Sequence, residues 1–169
     1  MRLLAALDVR LLRAARTVGH DARAERWVAR FSRLGEHGMV WLVLAGVGAF
    51  LDPLGGRRWR RAAATISGAY ALNTLLKLVV RRPRPQLPDL PALVATPTQL
   101  SFPSSHATTS FAAAGLYWRL GLSRPGLYAL AVALSGSRLY LGVHYPSDVL
   151  AGAAAGHVVA RVGRRWSLS

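Results

Sequence analysis

The sequence contains no cysteine, which excludes disulfides, thiolate metal sites and cysteine nucleophiles together. Acids are scarce, seven Asp and Glu against 22 Lys and Arg, and they form no acidic cage for a hard cation. Lysine is nearly absent as well: Lys77 is the single one, and every other cation is arginine. No segment alternates apolar and polar residues as a half-buried strand would. No uninterrupted apolar stretch precedes a small-residue cleavage site near the N-terminus, so a cleavable signal is not expected. The 169 residues suffice for one core.

What the chain does have is apolar bulk and positive charge. Hydrophobic residues make up 52% and the mean hydropathy is +0.26, enough apolar surface to exclude disorder. The formal charge of +15 suits nucleic acid or a membrane surface. A solvated basic DNA binder does not carry this much apolar surface, so nucleic acid is not an expected partner. The combination points to the membrane.

Residues 2–16 place Leu3, Leu4, Leu7, Leu11 and Leu12 on one helical face, with most of the arginines elsewhere. A second basic stretch, Asp21 to Arg33, carries Trp27, Val28 and Phe31 and leads into Leu34. Both read as amphipathic helices in the membrane interface, the alternative being ordinary packed surface helices. Residues 1–34 thus form an interfacial region and residues 35–169 a transmembrane core. Apolar stretches follow at Met39–Leu54, Ala62–Val80, Ala107–Leu120 and Gly126–Val143, with a weaker one at Val149–Gly163. Several are shorter than the ~20 residues of a typical span, but small residues in them suit close helix packing. The expected fold is all-α: a polytopic membrane bundle of about five transmembrane helices behind an amphipathic N-terminal region. A soluble helical bundle is the alternative. Leu54–Arg61 and Ser123–Pro125 read as short turns. The loop Arg81–Pro103 holds six of the nine prolines and cannot be helical throughout.

Polar residues collect at particular helix ends. Lys77, Arg81, Arg82 and Arg84 lie where the second span ends; Ser104, Ser105 and His106 lie where the third begins. Arg138 lies near the end of the fourth, and His144 and Asp148 lie where the fifth begins. With alternating spans, all of these share one membrane face, where ionisable groups are costly and usually functional. Lys77, Arg84 and Arg138 together require an anion. Ser104 as N-cap of the third span would offer backbone N–H groups and a positive dipole to phosphate, and arginine supplies a fork that matches phosphate oxygens. Asp148, in the first turn after Pro146, is placed to accept the Nδ1–H of His144 and leave Nε2 free to attack. His106 is then the acid that protonates the departing alkoxide and later activates water. His20 and His157 read as packing residues.

Lys77-(six residues)-Arg84-Pro85, Pro103-Ser104-Ser105-His106 and Ser137-Arg138-(five residues)-His144-(three residues)-Asp148 together resemble the three-part signature of the type-2 phosphatidic acid phosphatase superfamily. The resemblance implies a metal-independent membrane phosphatase acting on a lipid-linked phosphate. His144 would form a phosphohistidine with Asp148 orienting it, and His106 would be the acid/base. Lys77, Arg84, Arg138 and Ser104 would hold the phosphate, with Ser105 supplying a backbone N–H where the family usually has glycine. The family's membrane members commonly have six spans, one more than the count here. Vanadium haloperoxidases share the signature but are larger soluble proteins. Gly35-Glu36-His37-Gly38 resembles a segment of small actinobacterial members that act on decaprenylphosphoryl-5-phosphoribose, the favoured substrate. Glu36 and His37 would then contact the headgroup, the alternative being that they cap a helix. Undecaprenyl diphosphate and phosphatidylglycerol phosphate are the alternative substrates, and a non-catalytic scaffold for anionic lipids is the alternative of another class. With Arg81, Arg82, Arg84 and Arg138 at the site set aside, the arginines on the two faces nearly balance, nine against eight. The family habit implies a multi-pass protein of the bacterial inner membrane with an extracytoplasmic site.

Overall fold

The computed structural model describes residues 2–52 and 54–168, which form seven α-helices. The described residues contain no strand, only an isolated bridge between Pro83 and Leu100. Helix α1 (Arg2–Thr17) buries a stripe at four-residue spacing, Asp8, Leu12 and Arg16. Of the leucine face expected to act together, only Leu12 turns inward; Leu3, Leu4, Leu7 and Leu11 are exposed. Arg16 latches α1 to the body, its two terminal nitrogens donating to the carbonyls of Tyr140 (3.0 Å) and Pro91 (2.9 Å).

Helix α2 (Ala22–Arg33) starts where the Asp21 carboxylate accepts from the N–H groups of Arg23 and Ala24. Glu25 in its first turn and Arg30 and Arg33 in its last complement the helix dipole. The chain then bends by 43° through a single 3-10 turn, Glu36–Gly38, into α3 (Met39–Leu51). The bend needs left-handed backbone at His37 (φ 52°) and Gly38 (φ 74°), a conformation glycine adopts at no steric cost.

Helix α4 (Gly56–Val80) begins six residues before its apolar stretch. The basic segment expected to be a turn is its first turns, because arginine is a good helix former and no glycine or proline falls among residues 57–61. Leu54 and Gly55 form the turn that remains, and Asp52 accepts the N–H of Gly55. Among the described residues α4 is the one helix long and apolar enough to cross a bilayer by itself; the bent α2–α3 pair qualifies when taken together.

Helices α5 (Ser105–Tyr117), α6 (Arg124–Tyr140) and α7 (Pro146–Leu168) complete the bundle. Helix α5 is its buried axis, packed by α4, α6 and α7. Its contact with α7 is backbone-close. A Cβ on Gly152 would lie 2.6 Å from the Ser104 carbonyl oxygen, and one on Gly156 would lie 2.5 Å from that of Thr108. The core centres on Trp41, Trp59 and Tyr117. Their polar tips are largely satisfied inside it: Trp41 donates to the Ser110 hydroxyl and Tyr117 to the Trp41 carbonyl. The two expected packing histidines do pack. His20 stacks on Tyr140, and His157 lies against Phe111 and Tyr128.

Candidate active site

At one end of the bundle the last turn of α4 meets the first turn of α5, the end of α6 and the turn into α7. The proline-rich segment closes over this end by folding back on itself, Arg84 N–H donating to the Gln99 carbonyl and Ser101 N–H to that of Arg82. Lys77 ties that fold to α4: its ammonium donates to the carbonyls of Leu100 (3.2 Å), Ser101 (3.1 Å) and Pro103 (2.8 Å). A single lysine thus satisfies three carbonyls of a buried non-helical segment and places its charge on the wall of a cavity of about 100 Å³. Arg84, Arg138, His106, Ser105, Glu36 and His37 line the same cavity.

His144, Asp148 and Ser104 lie one layer deeper, behind Arg84. The Arg84 Nη1 donates to the Val143 carbonyl (2.7 Å) and stands 3.3 Å from His144 Nε2. A guanidinium only donates, so Nε2 is the lone-pair nitrogen and the ring proton sits on Nδ1. Nδ1 faces Asp148 Oδ2 at 3.5 Å, longer than a hydrogen bond. The expected orientation is present, and the expected hydrogen bond is not closed. Asp148 is fully buried and otherwise engaged: Oδ2 accepts from the Tyr145 N–H and Oδ1 from Arg82, each at 2.8 Å. Burial, aided by Arg84, pushes His144 from 6.5 down to about 3 against the opposing pull of Asp148, so the ring is neutral. Burial likewise lowers Arg84 to about 10, still charged at neutral pH.

Helix α2 reaches the site through Ser32. The Ser32 carbonyl lies 2.9 Å from His106 Nε2, which therefore carries a proton, and the Ser32 hydroxyl accepts from Arg138 Nη1 at 2.7 Å. The donors that a phosphate and a leaving oxygen would use are thus both held by α2. Ser104 occupies the N-cap position of α5, but its hydroxyl makes no cap hydrogen bond; its backbone N–H donates to the Asp148 carbonyl. Buried side-chain atoms of Ser104, Arg138 and His144 (Oγ, Nε and Nδ1) have no hydrogen-bond partner, a rare condition away from functional sites. Ser105 donates to Asn73 Oδ1 at 2.6 Å. His37 is hydrogen-bonded to the Tyr70 hydroxyl at 2.7 Å, so it has a structural partner on α4 while lining the cavity.

Three residues here escape a reading of the sequence, and a fourth, Arg82, was placed on this face by its position but given no role. Asn73 is fully buried one turn before Lys77 and holds both Ser105 and Thr108; an amide inside an apolar span was its signal. Ser32 had no signal. Arg82 bridges Asp148 and Asp8 (2.8 Å each) and stacks on Tyr145, its guanidinium carbon 4.1 Å from the ring. Asp8, on α1, also accepts the N–H and hydroxyl of Ser147 in the first turn of α7. Asp89, in the proline-rich segment, pairs with exposed Arg13, and Asp8 is the carboxylate besides Asp148 that reaches the site. Its signal was an acid spaced by four residues from both Leu4 and Leu12.

The arrangement can bind a tetrahedral anion among three cations, and it offers one neutral imidazole with a lone pair and another that carries a proton. Among the described residues no group of three or more His, Asp or Glu could hold a metal ion. The chain is 47% identical over 132 residues to the decaprenylphosphoryl-5-phosphoribose phosphatase of Mycobacterium tuberculosis (strain CDC 1551 / Oshkosh), covering 78% of this chain and 73% of that protein. Its fold matches the crystal structure of Aquifex aeolicus LpxE, with a TM-score of 0.77 at 25% identity over 94% of this chain and 95% of that one. It also matches the transmembrane PAP2-type phosphatidylglycerolphosphate phosphatase of Bacillus subtilis, with a TM-score of 0.78 at 22% identity over 98% and 87% of the two chains. The model of the PAP2 superfamily spans residues 58–168, which takes in every catalytic candidate from Lys77 to Asp148, and the chain belongs to that superfamily.

Proposed function

We propose that this phosphatase hydrolyses a lipid-linked phosphate through a phosphohistidine on His144, and that its substrate is decaprenylphosphoryl-5-phosphoribose. The carrying observation is that Arg84 stands 3.3 Å from the lone-pair nitrogen of His144 and, with Lys77 and Arg138 from two other segments, lines the cavity that His106, with a proton on Nε2, also lines. Lys77, Arg84 and Arg138 hold the phosphate oxygens, with Ser104 and Ser105 at the α5 N-terminus. The lone pair on His144 Nε2 forms the N–P bond as the P–O bond to the lipid-linked sugar breaks, and His106, protonated on both ring nitrogens when the phosphate anion is bound, gives its Nε2 proton to the leaving oxygen and becomes neutral. In the second half, His106 takes a proton from water, the water oxygen bonds to phosphorus, and the N–P bond breaks to release phosphate. Asp148 stabilises the proton on His144 Nδ1 throughout. The charge stabilisation that metal phosphatases draw from a metal comes here from the three cations.

The substrate assignment rests on the mycobacterial relative and on Glu36 and His37, which line the cavity where a phosphoribose would extend beyond the phosphate. We place residues 1–34 in the interface as an amphipathic region, residues 35–169 as the transmembrane core of about five helices, and the site on the extracytoplasmic face of a bacterial inner membrane.

The test is phosphate release by detergent-solubilised protein with EDTA present. The substrates are decaprenylphosphoryl-5-phosphoribose, undecaprenyl diphosphate and phosphatidylglycerol phosphate, each assayed alongside His144→Ala. Turnover of the first in preference to the others, with acid-labile phosphate trapped on wild type and none on the variant, is expected. Near-normal activity of His144→Ala would overturn the nucleophile assignment, and preference for another lipid would overturn the substrate.

A further inference from the structure

A second concentration of positive charge lies at the other end of the bundle. Arg119 after α5, Arg124 at the start of α6, and Arg161 and Arg164 near the end of α7 line one cavity of about 360 Å³. Among the described residues no carboxylate lines it. Six of the seven acids belong to segments around the catalytic end, and the seventh, Asp52, holds the turn before α4. We propose that this cavity is a second site, which seats the phosphate headgroup of an anionic phospholipid.

Arginines that merely snorkel from helix ends splay apart into the interface. These four, from three elements, converge. Arg119 and Arg124 share one indole, their guanidinium carbons 4.3 and 5.1 Å from the Trp118 ring, and Arg124 also reaches Tyr128 at 6.0 Å. A guanidinium stacked by its face keeps its N–H edge for a ligand, the geometry that grips phosphate bidentately. His157 is set in the same wall: it stacks on Tyr128 and donates from Nδ1 to the Ala153 carbonyl (2.9 Å), which leaves Nε2 as its second polar atom. The N-terminus of α6 adds its dipole at Arg124.

The surroundings favour a lipid over a soluble phosphate. Val158 lines the cavity and is exposed, as is Val132, one turn along α6 from Tyr128. They continue from the cavity toward the middle of the bundle, the course an acyl chain would take from a headgroup held by the arginines. Basic pockets between transmembrane helices are a recurring solution for anionic headgroups.

The experiment reconstitutes the full chain into phosphatidylcholine nanodiscs with and without phosphatidylglycerol, and identifies retained lipid by native mass spectrometry. Wild type is expected to retain phosphatidylglycerol over phosphatidylcholine. Arg124→Gln combined with Arg161→Gln is expected to weaken that retention by about tenfold or more, with Arg124→Lys between the two. An unchanged thermal midpoint and unchanged turnover of a short-chain phosphate ester identify a folded variant. Equal retention of the two lipids by wild type, or undiminished phosphatidylglycerol on the folded double variant, overturns the proposal. Displacement of the lipid by inorganic phosphate or glycerol 3-phosphate overturns the lipid assignment in favour of a soluble phosphate ligand.

Discussion

Replacing Asp8 by Asn tests whether α1 acts on the reaction from a distance. Asp8 accepts from Arg82 Nη2 at 2.8 Å, from the Ser147 N–H at 2.9 Å and from the Ser147 hydroxyl. An amide of the same shape keeps part of this and loses the charge. One charge-assisted hydrogen bond contributes about 1.5–3 kcal/mol, and a capping interaction at a helix N-terminus about 1 kcal/mol. Because Arg82 remains partly exposed, solvent recovers some of that, and a stability loss of about 2 kcal/mol is expected. The effect on rate has a different origin. Freed from Asp8, Arg82 has Asp148 as its remaining anionic partner and draws that carboxylate further from His144 Nδ1, already 3.5 Å away. Small misplacements at a reacting centre cost up to ~100-fold, so kcat should fall by about tenfold to a hundredfold. KM should hold, because the phosphate-binding cations are untouched. Steady-state kinetics on a short-chain ester, in the wild-type and Asp148→Asn backgrounds, separates the causes. If Asp8 works through Asp148, its substitution has little further effect once Asp148 is gone. Equal factors in both backgrounds, or a change in KM alone, would refute the reasoning.

Gly35→Ala is expected to lower activity without backbone strain, since its φ of −86° suits any residue while the new Cβ would stand 2.7 Å from the His106 ring; unchanged turnover would mean that the corner after α2 yields freely. Gly156→Ala should destabilise the fold by about 1–3 kcal/mol through overpacking, because its Cβ meets the α5 backbone at the Thr108 oxygen and the Ala112 nitrogen; a thermal midpoint equal to wild type would show that α7 can shift away. His144, in the turn between α6 and α7, gives the fold an acid dependence of known sign. Its folded value is pushed by burial from 6.5 to about 3, so the unfolded chain binds a proton over that range and the folded chain does not. Its contribution is fully present above pH 6.5 and is lost at about 1.4 kcal/mol per pH unit as the pH falls toward 3. Thermal midpoints of wild type and His144→Gln across that range should diverge, the variant being less acid-sensitive; parallel curves would contradict a buried neutral ring.

The chain's residue order marks the candidate groups and where they meet. Lys77, Arg84, Ser104, His106, Arg138, His144 and Asp148 occupy successive helix ends, and reversal of direction between spans brings such ends to one side whatever the details of packing. It also determined that the segment from Arg81 to Pro103 would be non-helical, because proline lacks the N–H that a helix needs. The start of α4 was hidden because an apolar pattern undervalues arginine as a helix former. Only the tertiary structure decided which atoms answer which. Helix α1 carries two competing stripes, leucines and Asp8-Leu12-Arg16, and periodicity cannot rank them. The polar stripe wins the interior because Arg82, Ser147, Pro91 and Tyr140 satisfy it there, an outcome that depends on partners up to 139 residues away. The same holds for Ser32 over His106 and Arg138 and for Asn73 beneath Ser105. A hydrogen bond is fixed by approach in space to a few tenths of an ångström, and residue spacing along the chain carries no such information between separate helices.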